Sequence, residues 1–274
     1  DNKMKREEQT WVRKPRCETD IHSIAQVRRN GSWETVAIGV CGDPRSYNTF
    51  AMLADVRNGR GFAGIKTSDG FPYIHEPRGL PADLKEPTRM SLVEVDSDDS
   101  DDEDDDNDDD NSVRVNKDHL VAAWDWDGNE VAIESEKASR VRYLKEDSSR
   151  MWLGDHSHSW CTLTELNTFV ENVVKSYTVK LCGYVHYQEY CQAKQEGRSF
   201  SGWCGNVHGP SIVKVHEKDL PSYVGPEPTD VFAEWEKPAL EASWLSEIVA
   251  ALELVRTRCG VSADDVRFVY GFDS

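Results

Sequence analysis

The stretch KLCGYVHYQEYCQAKQEGRSFSGWCGNVHG, residues 180–209, contains CGYVH at Cys182 and CGNVH at Cys204, each a cysteine followed four residues later by a histidine. Zinc accepts two-cysteine, two-histidine sets, so Cys182, His186, Cys204 and His208 have suitable donor chemistry. Their spacing works against them. On a strand, residues four apart lie about 13 Å from each other at roughly 3.3 Å per residue. Zinc bonds of about 2.0 to 2.3 Å cannot span that gap. A helical turn, or a tight bend at Gly183 and Gly205, would be needed to bring each pair together. No two cysteines stand two to four residues apart, the spacing of familiar zinc sites. Zinc is therefore one possible cofactor, and otherwise none is expected.

A second constellation is GDHSHSW, where Asp155, His156 and His158 offer a carboxylate and two imidazoles. Thr162 and Glu165 follow with capping-box spacing, marking a helix start. The unsatisfied N–H groups and positive dipole end of a helix favour a nearby anion. His156 and His158 could therefore grip a phosphate, ligate a metal, or act as acid and base near neutral pH. The two need not act together, and the plainer alternative is that the histidines and serines only organise the segment. In HEPRGLP, Arg78 stands between Pro77 and Gly79, where a stiff loop could present a guanidinium for bidentate phosphate contact, with His75 and Glu76 beside it. The alternative there is a rigid turn with an incidental arginine. Asp20 and His22 would share one face of a strand and could border the same cleft. Trp124, Trp126, Trp152, Trp160 and Trp203 could form a stacking wall or belong to the core.

The elements that must position these residues follow from periodicity and turn chemistry. DIHSIAQVRRNGSWETVAIGV predicts two strands around Asn30-Gly31, a dipeptide that takes the positive φ values of a type I′ turn. SYNTFAMLADVRNG predicts a helix with Ser46 as N-cap and Gly59 near its end. GFPYIHEPRGLPADL is too punctuated by proline and glycine for regular structure. HLVAAWDWDGNEVAIES predicts a hairpin turning at Asp127-Gly128. The carboxylates there suit a hairpin tip better than a calcium loop, because Gly128 is the fourth residue from Asp125, where such a loop needs it sixth. Leu163, Leu166, Phe169, Val170 and Val173 line one face of the helix opened by the capping box. A strand at TVKL, a short helix at YQEYCQAKQEG ending at Gly197, and a strand at VFAEWEKP come next. A long helix over LEASWLSEIVAALELVRTRCG and a last strand at DVRFVYGFD complete the set. Hairpins and three to four helices, without a regular βαβ rhythm, define an α+β fold built on a mixed, largely antiparallel sheet. There is no Gly-rich dinucleotide fingerprint, phosphate loop or nucleophile elbow.

The formal charge is −18, but Asp96 to Asp110 alone holds twelve carboxylates, so the rest carries −6. That body disfavours binding to a nucleic-acid backbone. The acidic run repels itself and is expected to be a disordered insert over residues 96–112, as the polar residues 1–16 are a disordered tail. Residues 17–95 and 113–274 then make one α+β domain or two subdomains of it. No stretch approaches the roughly 20 apolar residues that span a bilayer. Seven cysteines, without the rhythm of a disulfide scaffold, fit reduced thiols and an intracellular chain.

CETDIHS, FAMLADVRN, EPRGLPADL, DHSHSWCTLTEL, GYVHYQEY, GRSFSGWCGNVHG and DDVRFVYGFD together resemble, in order from Cys17 to Ser274, a family of tailed-bacteriophage proteins with no assigned activity. Glu18 and Thr19 are extra relative to that pattern, and the tail and the acidic run have no counterpart in it. The resemblance implies a phage accessory protein in the cytoplasm of an infected bacterium. Such proteins act in host takeover or against host defence, including by trapping nucleotide-derived signals. The leading expectation is a non-enzymatic binder of a small anionic, nucleotide-derived ligand, using Arg78, His156, His158 and Trp160 with Asp155 and His22 nearby. Symmetric assembly of copies would suit such a role. One rival is a metal-dependent nucleotide hydrolase or phosphodiesterase, with Asp155, His156, His158 and Asp20 or His22 as ligands. Another is a protein that inhibits a host enzyme by binding it.

Overall fold

The computed structural model describes residues 20–40, 46–58, 70–84, 112–125, 127–133, 142–143, 149–202, 209 and 211–273. The amino-terminal tail, the acidic run, Trp126, Trp203, Cys204 and His208 lie outside the described residues. The chain runs β1 (Ile21–Arg29), β2 (Ser32–Ile38), α1 (Tyr47–Ala54), β3 (Ser112–Val115), β4 (Ala122–Trp124) and β5 (Glu130–Val131). It continues through β6 (Arg142–Tyr143), β7 (Ser149–Trp152), β8 (His156–Thr162), α2 (Leu163–Asn172), β9 (Thr178–His186) and α3 (Tyr187–Glu196). Then come β10 (Lys214–His216), β11 (Asp230–Pro238), α4 (Leu245–Cys259) and β12 (Val266–Phe272). The fold is α+β.

Local chemistry explains most of these elements. Asn30 and Gly31 turn the first hairpin at φ of 52° and 80°, as the type I′ geometry demands. At the second hairpin, the Asp125 carboxylate accepts hydrogen bonds from the N–H groups of Asp127 and Asn129 at 3.0 and 2.9 Å, closing a turn in place of an ion loop. The capping box of α2 is formed: Glu165 N–H donates to Thr162 Oγ1 at 3.1 Å, and Thr162 N–H donates to Glu165 Oε2 at 2.8 Å. Three helix ends differ from expectation. Ser46 stands at the N-cap position of α1 but makes no side-chain bond to the helix backbone, its hydroxyl accepting from Thr49 Oγ1 instead. That helix stops at Ala54, with Asp55 rather than a glycine in the left-handed region, at φ 57°. The carboxy-terminal helix begins at Leu245, five residues later than its period suggests, after a separate short turn over Leu240–Ala242.

The described strands form three sheets, the largest in the order β5-β4-β2-β1-β12-β8. The β2–β4 pair is parallel and the others are antiparallel. The last strand thus lies between the first and β8, and all seven of its residues are buried. Val266, Phe268, Tyr270 and Phe272 face a core shared with Phe50, Leu53, Leu166, Leu245, Ile248 and Leu252 of α1, α2 and α4. Val269 faces the opposite side with Ile24, Ile38 and Leu153, against which Leu80, Leu84 and Trp160 pack. On that second side the register sets Ile38, Ile24, Val269 and Trp160 in one row. Thr35, Gln26, Arg267 and Thr162 form the next row, and His22 and Gly271 lie two positions beyond Ile24 and Val269.

Candidate functional site

The GDHSHSW segment is mostly strand: β8 starts at His156 and pairs with β12. Its pairing is irregular. Tyr270 opposes Ser159 and Phe272 opposes His156, so two residues of β8, Ser157 and His158, face the single Gly271. Ser157 absorbs this bulge at a positive φ of 52°. The bulge cancels the usual alternation and sends the two histidines to opposite sides. His156 stacks on Phe272 with ring centroids 6.1 Å apart, and its Nδ1 lies 3.0 Å from Ser157 Oγ. His158 lies over Gly271 and bonds through Nε2 to the Gly154 carbonyl at 2.9 Å. Asp155 is exposed, and its N–H donates to Phe272 O at 2.7 Å.

The backbone N–H of Asp20 and the ring of His22 both contact Asp273, a residue that sequence reading passed over. Asp273 accepts from Asp20 N–H at 2.6 Å and lies 3.0 Å from His22 Nε2. His22 falls on the same sheet face as His158, with β12 between them, at roughly 10 Å by two strand spacings. These histidines flank Gly271 from the two neighbouring strands.

Arg78, by contrast, is brought directly to β8. Gly79 N–H donates to His158 O at 2.9 Å and Arg78 N–H to Ser159 Oγ at 3.2 Å, so the proline-bounded loop runs along the outer edge of the sheet. The guanidinium makes a fork with Glu165, Nη2 to Oε1 at 2.8 Å and Nη1 to Oε2 at 3.1 Å, and sits 4.9 Å from the centroid of the Trp160 ring. One carboxylate therefore caps α2 and holds Arg78, whose side chain stays 33 % exposed. Beside it, His75 Nδ1 lies 2.9 Å from Glu76 O, and Tyr73 OH donates to Glu76 Oε1 at 2.7 Å.

Partial burial pushes the Glu165 carboxyl upward, but the bond from Arg78, and then the bond from Thr162 N–H, outweigh it and leave its pKa below the ordinary value. Because the folded value is the lower one, this pair stabilises the protein fully above the unfolded carboxylate value of about 4.3. The contribution is lost as pH falls through the folded value. We expect melting temperature to drop on acidification below about pH 4, with that component missing from Glu165→Gln. A variant with the same acid dependence as the parent would show that the pair is energetically silent.

Arg267 and its partners form the part of the site that sequence reading missed. Arg267 is 3 % exposed, yet it occupies the middle of a sheet face. Its Nε donates to Gln26 Oε1 at 2.8 Å, and Nη1 donates to Asp83 Oδ2 at 3.3 Å and lies 2.9 Å from Oδ1. Its Cζ lies 4.3 Å from the Trp33 ring centroid and 5.8 Å from that of Trp160. Burial lowers its pKa, and the Asp83 carboxylate opposes that shift. The available signal was the charged residue at the centre of DVRFVYGFD, an apolar strand. Trp160 is thus shared by Arg78 and Arg267, and the ring that sequence analysis offered as a stacking wall joins two guanidinium groups. Trp124 belongs to the core, at 6 % exposure.

For the cysteine–histidine pairs, the structure places Cys182 and His186 on one strand, β9, the geometry that separates them by about 13 Å. His186 Nδ1 lies 2.8 Å from Asp230 Oδ1. Among the described residues no three or more His, Cys, Asp or Glu side chains form a group that could hold a metal ion. Nor is any described helix long and apolar enough to cross a membrane. Compared with protein-family models, curated proteins and solved structures, this chain matches none.

Proposed function

We propose that this chain binds a small anionic, nucleotide-derived ligand at the Arg78–Trp160 corner, as a phage accessory protein that sequesters such a molecule in the cytoplasm of its host. One observation carries the reading. A guanidinium that remains one-third exposed lies against an indole ring at the first turn of α2, which unites a charge for phosphate with an aromatic surface for a base. The phage setting rests on the resemblance described above. Glu165 is the ligand's competitor, since its carboxylate already occupies the Nη1 and Nη2 fork. An incoming phosphate must share the guanidinium with it or displace it.

That competition makes the proposal testable in two directions. In calorimetric titration of the full chain with a panel of cyclic dinucleotides and nucleoside polyphosphates, Arg78→Ala should weaken the best ligand at least about tenfold, the loss of one charge-assisted contact. Glu165→Gln keeps an acceptor for the capping box but removes the competing charge, and should tighten binding several-fold. If neither variant changes the affinity, the site is elsewhere. A parent chain that binds no member of the panel, yet pulls one host protein from lysate in stoichiometric amount, would replace this reading with the protein-inhibitor one.

A further inference from the structure

We infer that Arg267 is a second anion-binding point, held in this structure by Asp83 as an intramolecular stand-in for a phosphoryl group. The inference rests on the proposed ligand class and extends it to the polar row Thr35–Gln26–Arg267 beside Trp160 on the same sheet face.

Three features carry it. First, burying a guanidinium is costly unless all its donors are paired, and Arg267 is incompletely paired. Its Nη2 is buried and has no hydrogen-bond partner among the described residues, although such orphans are uncommon in folded proteins. Secondly, Asp83 fits the guanidinium poorly. Both of its oxygens approach the one nitrogen, Nη1, whereas a guanidinium fork is satisfied by an oxyanion that bridges Nη1 and Nη2. A phosphoryl group, with three terminal oxygens, can reach both nitrogens and still present an oxygen to solvent. Thirdly, the stand-in is replaceable. The Asp83 side chain is 52 % exposed while Arg267 is 3 % exposed, so the carboxylate reaches inward from the surface. It belongs to the irregular segment 70–84, which near β8 is joined by the Gly79–His158 and Arg78–Ser159 bonds. The Trp33 ring, 4.3 Å from the guanidinium, adds an aromatic surface of the kind that stacks on a base. Arg78 and Arg267 both approach Trp160, so one ligand with two phosphoryl groups could engage both.

The test is calorimetric titration of the full chain with inorganic pyrophosphate and, separately, ATP. Asp83→Asn keeps the shape of the stand-in and an oxygen to accept from Nη1 but removes the counter-charge of a buried guanidinium, so the cooperative melt of this variant is recorded before it is titrated. Pyrophosphate should bind Asp83→Asn at least fivefold more tightly than the parent, and adding Arg267→Lys to that variant should erase the gain. Should the double variant lose its cooperative melt, hydrogen exchange of the Asp83→Asn chain decides instead. Pyrophosphate must then slow exchange at the Gly79 and Leu84 amides, and unchanged exchange would overturn the assignment. Equal or weaker pyrophosphate binding by Asp83→Asn, or no binding by either chain, overturns it as well. Those outcomes leave the Arg78 reading to be judged by the nucleotide panel and by Arg78→Ala. A loss of binding in Arg78→Ala with no gain in Asp83→Asn would sink only the Arg267 inference. A gain larger with ATP than with pyrophosphate would show that a base is read next to the phosphates.

Discussion

The Gly271→Ala variant is expected to lose more than about 3 kcal/mol of stability, at the upper end of what overpacking costs. A Cβ at this position would lie 2.0 Å from the Leu153 carbonyl oxygen and 2.5 Å from His158 Cδ2. The nearest obstacle is backbone, so no rotamer change relieves it. The Leu153 carbonyl is itself constrained, because the chain crosses the end of β12 at Gly154, where φ is +83° and a Cβ would meet Phe272 backbone atoms at 2.5 Å. Two glycines, Gly271 within β12 and Gly154 just ahead of β8, thus let the entry to β8 lie flat on β12. The same crossing places His158 and the bulge at Ser157. Urea unfolding of Gly271→Ala should show a lower midpoint with an unchanged slope. A midpoint like that of the parent would mean that the segment over Leu153 and Gly154 shifts away at little cost, and that the position of His158 is adaptable.

The second large effect is expected at Phe272. Removing its ring should cost about 3 to 5 kcal/mol, the range for a fully buried phenylalanine cut back to alanine. The side chain is fully buried and meets three rings: Phe50 at 5.0 Å, Tyr270 at 6.1 Å and His156 at 6.1 Å. It joins α1 to β8 through the core and gives the His156 ring its support. The Phe272→Ala variant should therefore show a lower unfolding midpoint and also a less ordered His156, visible as narrowed dispersion of its ring-proton resonances. A loss of less than about 1 kcal/mol would mean that the neighbouring rings collapse into the space. Tyr270, whose hydroxyl donates to Leu53 O at 2.7 Å, would then be carrying the contact between α1 and the sheet.

The candidate site was legible in parts. Arg78 and Trp160 were each chosen for their chemistry, and the structure places them in contact. The hydrogen bonds between the 70–84 segment and β8 that make the contact join residues 79 and 158, a pairing that spacing along the chain does not reveal. His156 and His158 need not act together on the sequence reading, and the bulge at Ser157 does send them to opposite sides of the sheet. His22 was linked to Asp20, but the residue that ties them, Asp273, lies at the far end of the described chain. Arg267 was passed over because an arginine inside a strand is ordinarily an outward-facing one. Here Gln26 and Asp83 arrive from distant segments to keep it inside.

The sequence by itself determined the turns and helix starts: Asn30-Gly31, Asp127-Gly128, and the Thr162–Glu165 box, together with the apolar faces of α2 and β12. These depend on backbone preferences and bonds that span a few residues, so neighbouring side chains suffice to specify them. Tertiary structure alone decided that β12 enters between β1 and β8, that Glu165 serves a cap and an arginine at once, and that Asp83 reaches Arg267. Those outcomes depend on which buried surfaces and charges can be satisfied together once the sheet closes, and no local pattern encodes that choice.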